Sequence, residues 1–448
     1  MVWELLVAAG GARMSVLESV LAAADAGREQ DIGLLQALIA AQRDGEEAVQ
    51  AVVAARLGAI GATVQRIVYE PAAVPLVGEF AASRAIASGS RASVIGTLPG
   101  GGGRSLILFA HPDSETLPPI PVGWVHDPFA GVIEAGRLYG WGVADDLLGV
   151  AAGIAALGAL ARADARPGGN VTMASTPSKR HARGVAAMMQ QGLTADAAIY
   201  LHPAESGAGL HEIKAFASGQ LEFRVTVSGR KPPTTEPGHT AFAHLAVNPL
   251  DKAIILVAAL QALDTRRGAA VHHPRLDAAV GRSTNLLISN IICGELAKFS
   301  RVNLRCTFGA AVSFPPDEPM AQVQAQIEAA VAEAVAGDAW MHECPPVVEW
   351  VSGVTGMEVG EDHPLYRTVS AAVTDVTGIL PAVNPMHTSS DIRNPVVQKG
   401  IPTVGLGPLA GNLTQMGLTD EWVDLDGYIA MIKVMASTIV RWTGATQE

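Results

Sequence analysis

Three motifs in this 448-residue chain set His or Asp residues at the edge of apolar segments. The first is LILFAHPDSE, residues 106–115, in which His111 ends the apolar run and Asp113 stands two residues on. A carboxylate so placed can hold the far ring nitrogen of a metal-ligating imidazole. The second is RLYGWGVADD, residues 137–146, with Asp145 after a glycine turn and before an apolar helix. The third is AAIYLHPAES, residues 197–206, with His202 again just past an apolar run. Taken singly, a His after a strand is more often structural. Two His and one Asp at three neighbouring strand ends are a donor set for a divalent ion: zinc, with manganese, cobalt or nickel as alternatives.

The elements around these motifs follow from periodicity. Residues 14–61 read as helical, with apolar spacing of helical period in 31–43 and 46–57, and 62–69 reads as a strand. Residues 105–110, 171–174 and 197–201 read as short buried strands, and 147–160 as a core helix between them. Strands alternating with helices predict a mainly parallel sheet, whose carboxyl ends are the usual place for a site. The pattern then changes. Residues 221–228 alternate apolar and polar, 247–263 is an amphipathic helix, 284–291 and 302–308 are strands, and 318–336 is a helix. That order is a compact α+β (ferredoxin-like) unit. Residues 338–448 return to α/β character and end on a helix at 428–442. The expected division is a catalytic α/β domain in two parts, 14–212 and 338–448, interrupted by an inserted lid or dimerisation domain at 213–337.

Composition narrows the function. Lys plus Arg number 31 against 43 Asp plus Glu, a formal charge of −12, and no Lys/Arg run exceeds two, which argues against nucleic acid as partner. The apolar share of 49% is ample for a core. The longest uncharged apolar run, 147–161, falls short of the roughly 18–20 residues that cross a bilayer. Glu4 stands where a secretory signal wants basic charge, and residues 1–13 read as an extension ahead of a start at Met14. Cys293, Cys306 and Cys344 are too few and scattered for a disulfide framework or a cysteine zinc site. A reducing, cytoplasmic location is the expectation.

At HPD 111–113, WVHDPFAGVIEAGRLYGWGVADD 124–146 and ADAAIYLHP 195–203, the chain resembles the di-zinc metallohydrolases that include acetylornithine deacetylase, succinyl-diaminopimelate desuccinylase, glutamate carboxypeptidase and the aminoacylases. GHTAFAHLAVNPLDKA, from Gly238, resembles that family's lid motif, and TSSDIRNPVVQKGIPTVGLGP, residues 388–408, its late substrate-pocket region. The resemblance runs from about Leu34 to Trp442. It implies that His111 is a ligand of the first metal and that Asp113 supports it. It implies that Asp145 bridges two metals through a cis bond to Asp146, and that His202 is the first metal's third ligand. The family's deacetylases and carboxypeptidases have an acid at that last position; its carbamoyl-amino-acid hydrolases have His. It further implies that His239 enters the partner subunit's site to stabilise an oxyanion, hence a homodimer through the inserted domain.

Two departures qualify this. Where the family has Thr-x-Asp-Glu-Glu, the chain reads STPSKRHARG, residues 175–184, so Ser178, Lys179 and Arg180 replace the acids. No Asp or Glu lies between Asp164 and Asp196. Near the C-terminus, Gly417 stands where a His ligand is expected, three residues before Asp420-Glu421. The first metal site keeps His111, Asp145 and His202, a three-ligand pattern with an open position. Arg180 is then expected to replace the second metal, pairing with Asp145 and facing the oxyanion. Lys179 serves as a base only if its pKa falls to near neutrality; His181 is another candidate base or ligand. Arg393 and His387 are candidates for binding the substrate, Arg393 through a carboxylate. His126 is expected to be structural, and His272 and His273 to be exposed loop residues.

Two functions follow. One is an atypical hydrolase with one metal per chain, cleaving an amide-type C–N bond in a small, carboxylated substrate. The other is a non-hydrolytic descendant, a metal-free binding protein or an enzyme of another class using the Lys179–Arg180 cluster.

Overall fold

A computed structural model describes residues 14–115, 122–203, 206–235, 238, 240–385 and 390–447. His239, His387 and the extension before Met14 lie outside the described residues. The strands of the two main sheets are, in chain order, β1 (Thr63–Tyr69), β2 (Glu79–Ala81), β3 (Arg91–Leu98), β4 (Leu106–Ala110), β5 (Val171–Ser175), β6 (Ala197–Leu201), β7 (Gly219–Ser228), β8 (Asn285–Cys293), β9 (Arg305–Phe314), β10 (Val347–Val354) and β11 (Thr403–Leu406).

The first sheet has six strands in the order β1-β3-β5-β4-β6-β11. Its β5, β4, β6 and β11 run parallel to one another, and β1 and β3 add an antiparallel edge beside β5. β4, β5 and β6 are buried at every position, which is why their sequences are mainly apolar rather than alternating, with Thr172 and Ser175 the polar members. Helices Val16–Ala26, Arg28–Ala41, Leu148–Arg162 and Leu425–Thr443 pack against this sheet in one core. Val16–Ala26 opens on a reciprocal cap between Ser15 and Glu18. Leu425–Thr443 opens on Asp424, whose carboxylate accepts from Gly427 N at 2.7 Å. By length and composition the helical segment Val143–Arg162 could cross a membrane, but it is buried inside the protein.

The second sheet is antiparallel, in the order β8-β9-β7-β10-β2. Its β10 and β2 come from outside 213–337. β7 and β9 alternate buried and part-exposed residues, and helices Pro249–Ala270 and Met320–Ala336 cover the buried face. Two boundaries differ from the periodic reading. The helix expected to stop at 263 runs on to Ala270, because buried Arg267 pairs with Glu318 at 2.7 Å and donates to Thr284 Oγ1 at 2.9 Å. The strand expected at 302–308 is Arg305–Phe314, since its inward alternation continues through Ala310, Val312 and Phe314. His273, expected to be exposed, is buried beside Phe216, with Nε2 3.3 Å from Glu358.

Helix Leu148–Arg162 lies directly on the sheet because its first turns are small. A Cβ at Gly149 would lie 1.8 Å from Leu201 O, at the strand end that carries His202. Gly33, inside helix Arg28–Ala41, has nothing within 4 Å of that position. Gly149→Ala is therefore expected to destabilise the protein by ~1–3 kcal/mol through overpacking. Gly33→Ala is expected to be neutral or to stabilise by up to about 1 kcal/mol. Denaturant melts of the two variants check this.

Candidate active site

Asp145 is the centre of the site. It stands at the C-terminal edge of the first sheet, after Gly142 and before helix Leu148–Arg162, and its peptide bond to Asp146 is cis. Buried Glu421 fixes this turn by accepting from Gly142 N (3.2 Å), Ala144 N (2.8 Å) and Asp145 N (3.0 Å). Burial, with the Asp145 charge added, pushes the Glu421 carboxyl up to about 7 despite the donated hydrogen bonds. Gly417, at the position of the expected His ligand, is an exposed turn glycine with φ 74°.

One oxygen of Asp145 holds the ammonium of Lys179, and the other lies 3.3 Å from His202 Nε2. Burial would raise the Asp145 carboxyl, but Lys179 and His202 outweigh it and hold the group well below the usual carboxylate range. Burial likewise opposes the Lys179 ammonium, but Asp145 and then Asp146 outweigh it and keep it firmly protonated. Two expectations change here. The cation on Asp145 is Lys179, not Arg180, and Lys179 is held in the wrong protonation state for a base. The cause is local backbone. Asp113 accepts from Ser178 N at 2.9 Å and Lys179 N at 2.8 Å, anchoring the loop where Lys179 meets Asp145. The chain then turns left-handed at Arg180 (φ 54°) and His181 (φ 49°). Arg180 is exposed on the cleft wall, and His181 Nδ1 lies 3.7 Å from Glu79.

With both its oxygens on that loop, Asp113 does not hold the His111 ring. His111 Nδ1 instead donates to Thr176 O at 2.6 Å, and Asp146 accepts from His111 N at 2.9 Å. With Nδ1 donating, Nε2 is a lone pair in the neutral ring and carries a proton in the imidazolium. It lies 2.9 Å from Asp391 Oδ2, where a protonated Nε2 would donate to that carboxylate. Burial disfavours an imidazolium here, yet Asp146 and Asp391 raise the group to about 10.

His202 repeats the arrangement with a complication. Its Nδ1 is 2.9 Å from Pro203 O and 2.7 Å from Nζ of Lys214, which is buried. One nitrogen cannot donate to the carbonyl and accept from the ammonium at once. Donation to Pro203 leaves Nε2 bare toward Asp145; acceptance from Lys214 puts the proton on Nε2.

Sequence reasoning missed Lys214, Asp391, Glu79 and the role of Glu421. A lysine inside the apolar run after His202 was a signal for Lys214. Asp391 receives Ser178 Oγ at 2.5 Å, and its carboxyl is held low because His111 outweighs its burial. Glu79 clamps the buried Arg393 through Nη2, while Arg393 Nε and Nη1 find no partner among the described residues. Glu79, Lys214, Asp391 and Arg393 line one cleft of about 450 Å³ with His111, Asp145, Lys179 and His202, closed on its far side by Gln220, Glu222 and Val354 of the second sheet. His126 is structural, stacked 4.0 Å from Tyr139 with Nδ1 2.9 Å from Asp420. His272 is exposed.

The arrangement can be tested against metal ions. Among the described residues no group of three or more His, Cys, Asp or Glu is gathered as a cage. The donors come as two pairs, His111 with Asp391 and His202 with Asp145, each with a ring nitrogen against a carboxylate oxygen. Where that nitrogen is bare, two acceptors face each other, and only a proton or a cation reconciles them. This donor chemistry suits one ion. A second ion on Asp145 is opposed by Lys179, which already holds that oxygen.

Residues 108–441 match the family model described as Peptidase family M20/M25/M40. A succinyl-diaminopimelate desuccinylase of Methylobacterium sp. is 27% identical over 342 residues, covering 75% of this chain and 80% of that protein. Another, from Alkalilimnicola ehrlichii, is 27% identical over 326 residues, covering 70% and 78%. Among solved structures, a tripeptidase from Staphylococcus aureus superposes with a TM-score of 0.67 at 15% identity, covering 93% of this chain and 99% of that one. A dipeptidase from Saccharomyces cerevisiae gives 0.68 at 14% identity, covering 96% and 99%. The last two share the fold. With the family match spanning most of its length and every site motif, the chain belongs to peptidase family M20/M25/M40, hydrolases that act on C–N bonds and typically depend on divalent metal.

Proposed function

We propose that this chain hydrolyses an amide-type C–N bond in a small, carboxylated substrate, using one divalent ion. The observation that carries this reading is the division of Asp145, with one oxygen held by Lys179 and the other facing His202. The ion, zinc in the first instance with manganese or cobalt as alternatives, would be held by His111, Asp145 and His202. It would supply the Lewis acidity that brings the pKa of water to about 7. Lys179 supplies the charge that a second ion would otherwise bring, and keeps Asp145 ionised. Asp113 acts through Lys179 by fixing its backbone. Arg180, on the cleft wall, faces the developing oxyanion together with His239 of the partner subunit. Arg393 offers Nε and Nη1 to a substrate carboxylate, and His387 is a further candidate for binding the substrate.

The same proposal includes the insert at 213–337 as lid and dimerisation domain, a homodimer and a cytoplasmic location. The exposed edge strand β8, with Leu287, Ile291 and Ile292 outward, supports a dimer formed through the insert.

A second reading, a metal-free binding protein, is favoured by Lys214 beside His202. In the tautomer it promotes, His202 donates to Asp145 and offers no lone pair to an ion. The two readings separate on a panel of N-succinyl and N-acetyl amino acids and dipeptides, with amine release measured. Turnover is expected, abolished by His111→Ala. Arg180→Met is expected to lower kcat about 100-fold with little change in KM. Turnover unaffected by His111→Ala would sink the hydrolase scheme. Tight binding of panel members without cleavage would favour the second reading.

Lys179→Met is expected to cost ~3–5 kcal/mol in a denaturant melt, because Asp145 is left buried without its cation. Lys179→Met combined with Asp145→Asn should recover part of that loss. Full additivity of the two substitutions would contradict their pairing.

A further inference from the structure

Cys293 and Cys306, thirteen positions apart in the chain, are direct partners across two strands. Cys293 ends β8 and Cys306 is the second residue of β9, in antiparallel register. Residues opposite one another in such a pair have Cα atoms roughly 4.5–5.5 Å apart. A disulfide needs roughly 4.4–6.8 Å, with both side chains on one face of the sheet, as direct partners have. The register places the two thiols side by side on one face of the sheet. Cys306 is fully buried, whereas Cys293 is part-exposed and accepts a hydrogen bond from Asn303 Nδ2 at 3.6 Å.

The segment between them is the loop 294–304. It carries Leu296 and Phe299, both almost fully exposed. It also holds the chain on either side of His239: Thr240 N donates to Ser300 O at 3.0 Å, and Val302 N donates to Gly238 O at 3.1 Å. A bond at the base of this loop would therefore stiffen both the loop and the segment it holds.

We propose that Cys293 and Cys306 form a reversible intrachain disulfide that closes the 294–304 loop when a small-molecule disulfide is present. The Cys293 thiolate attacks one sulfur of the small disulfide, expelling one thiolate and leaving a mixed disulfide on Cys293. The Cys306 thiolate then attacks the Cys293 sulfur and expels the second thiolate. The two leaving thiolates take up the protons that the cysteines gave up. One small disulfide is thus reduced to two thiols as two cysteine thiols become one cystine. Position sets the order of events, because Cys293 is reachable and Cys306 is not. Burial, together with the Cys293 contact, also pushes the Cys306 thiol up to about 12, so it stays protonated until Cys293 is capped.

The test treats the folded full-length protein with oxidised glutathione, traps free thiols with N-ethylmaleimide under denaturing conditions, and maps the peptides by mass spectrometry. Of the three cysteines, two are expected to be lost to trapping, with a 293–306 cross-link and Cys344 still alkylated. Cys306→Ser is expected to stop at a glutathione adduct on Cys293, and Cys293→Ser to leave Cys306 unmodified. Hydrogen exchange at Thr240 and Val302 should slow roughly tenfold in the oxidised wild type. Three alkylated cysteines, a wild-type protein that stops at the Cys293 adduct, or a cross-link through Cys344 would each overturn the proposal.

Discussion

The carboxylate of Asp145 is shared between the ammonium of Lys179 and the imidazole of His202, and the rest of the site is arranged around that sharing. A buried carboxylate must be paired, and here the pairing is split by oxygen. In a two-metal hydrolase a bridging carboxylate gives one oxygen to each ion. In this chain a fixed side-chain cation has one oxygen, and only the other is open to an ion. On the proposed one-ion reading, the absence of acids at 178–180 and of a His at 417 goes with Lys179, because further anionic ligands for a second ion would have no cation to hold.

Positioning that one carboxylate takes several elements that do no chemistry. Glu421 gathers the amides of the 142–145 turn. Asp113 gathers the amides of Ser178 and Lys179, so a residue from the first motif sets the position of the loop that replaced the acids. Gly149 lets the following helix lie against Leu201, the neighbour of His202. The facing wall comes from the second sheet, which takes up β2 and β10 from outside the insert. Glu79 on β2 thereby reaches Arg393, at the start of helix Arg393–Lys399, across the cleft.

Much of this was legible in the sequence. Fully apolar runs ending in His111 and His202 marked the strand ends, and the change to alternating periodicity marked the second sheet. The departure at 178–180 marked where the site would be unusual. Partner choice was not legible. Lys179 and Arg180 are adjacent cations, and only the left-handed turn after Lys179 decides which one meets Asp145. Asp113 reads as a partner for His111 because it is near in sequence, but the amides that occupy it belong to a loop 65 positions away. The opposition of Cys293 and Cys306 depends on strand register, which no count of cysteines contains.

The most direct test of the divided carboxylate is metal content per chain, measured by elemental mass spectrometry on protein purified without chelator and then equilibrated with zinc or manganese. One ion per chain, lost in His202→Ala, is the predicted result. Two ions would mean that Lys179 does not stand in for a metal. None, under the same conditions, would mean that the lysines have displaced metal chemistry from the site altogether.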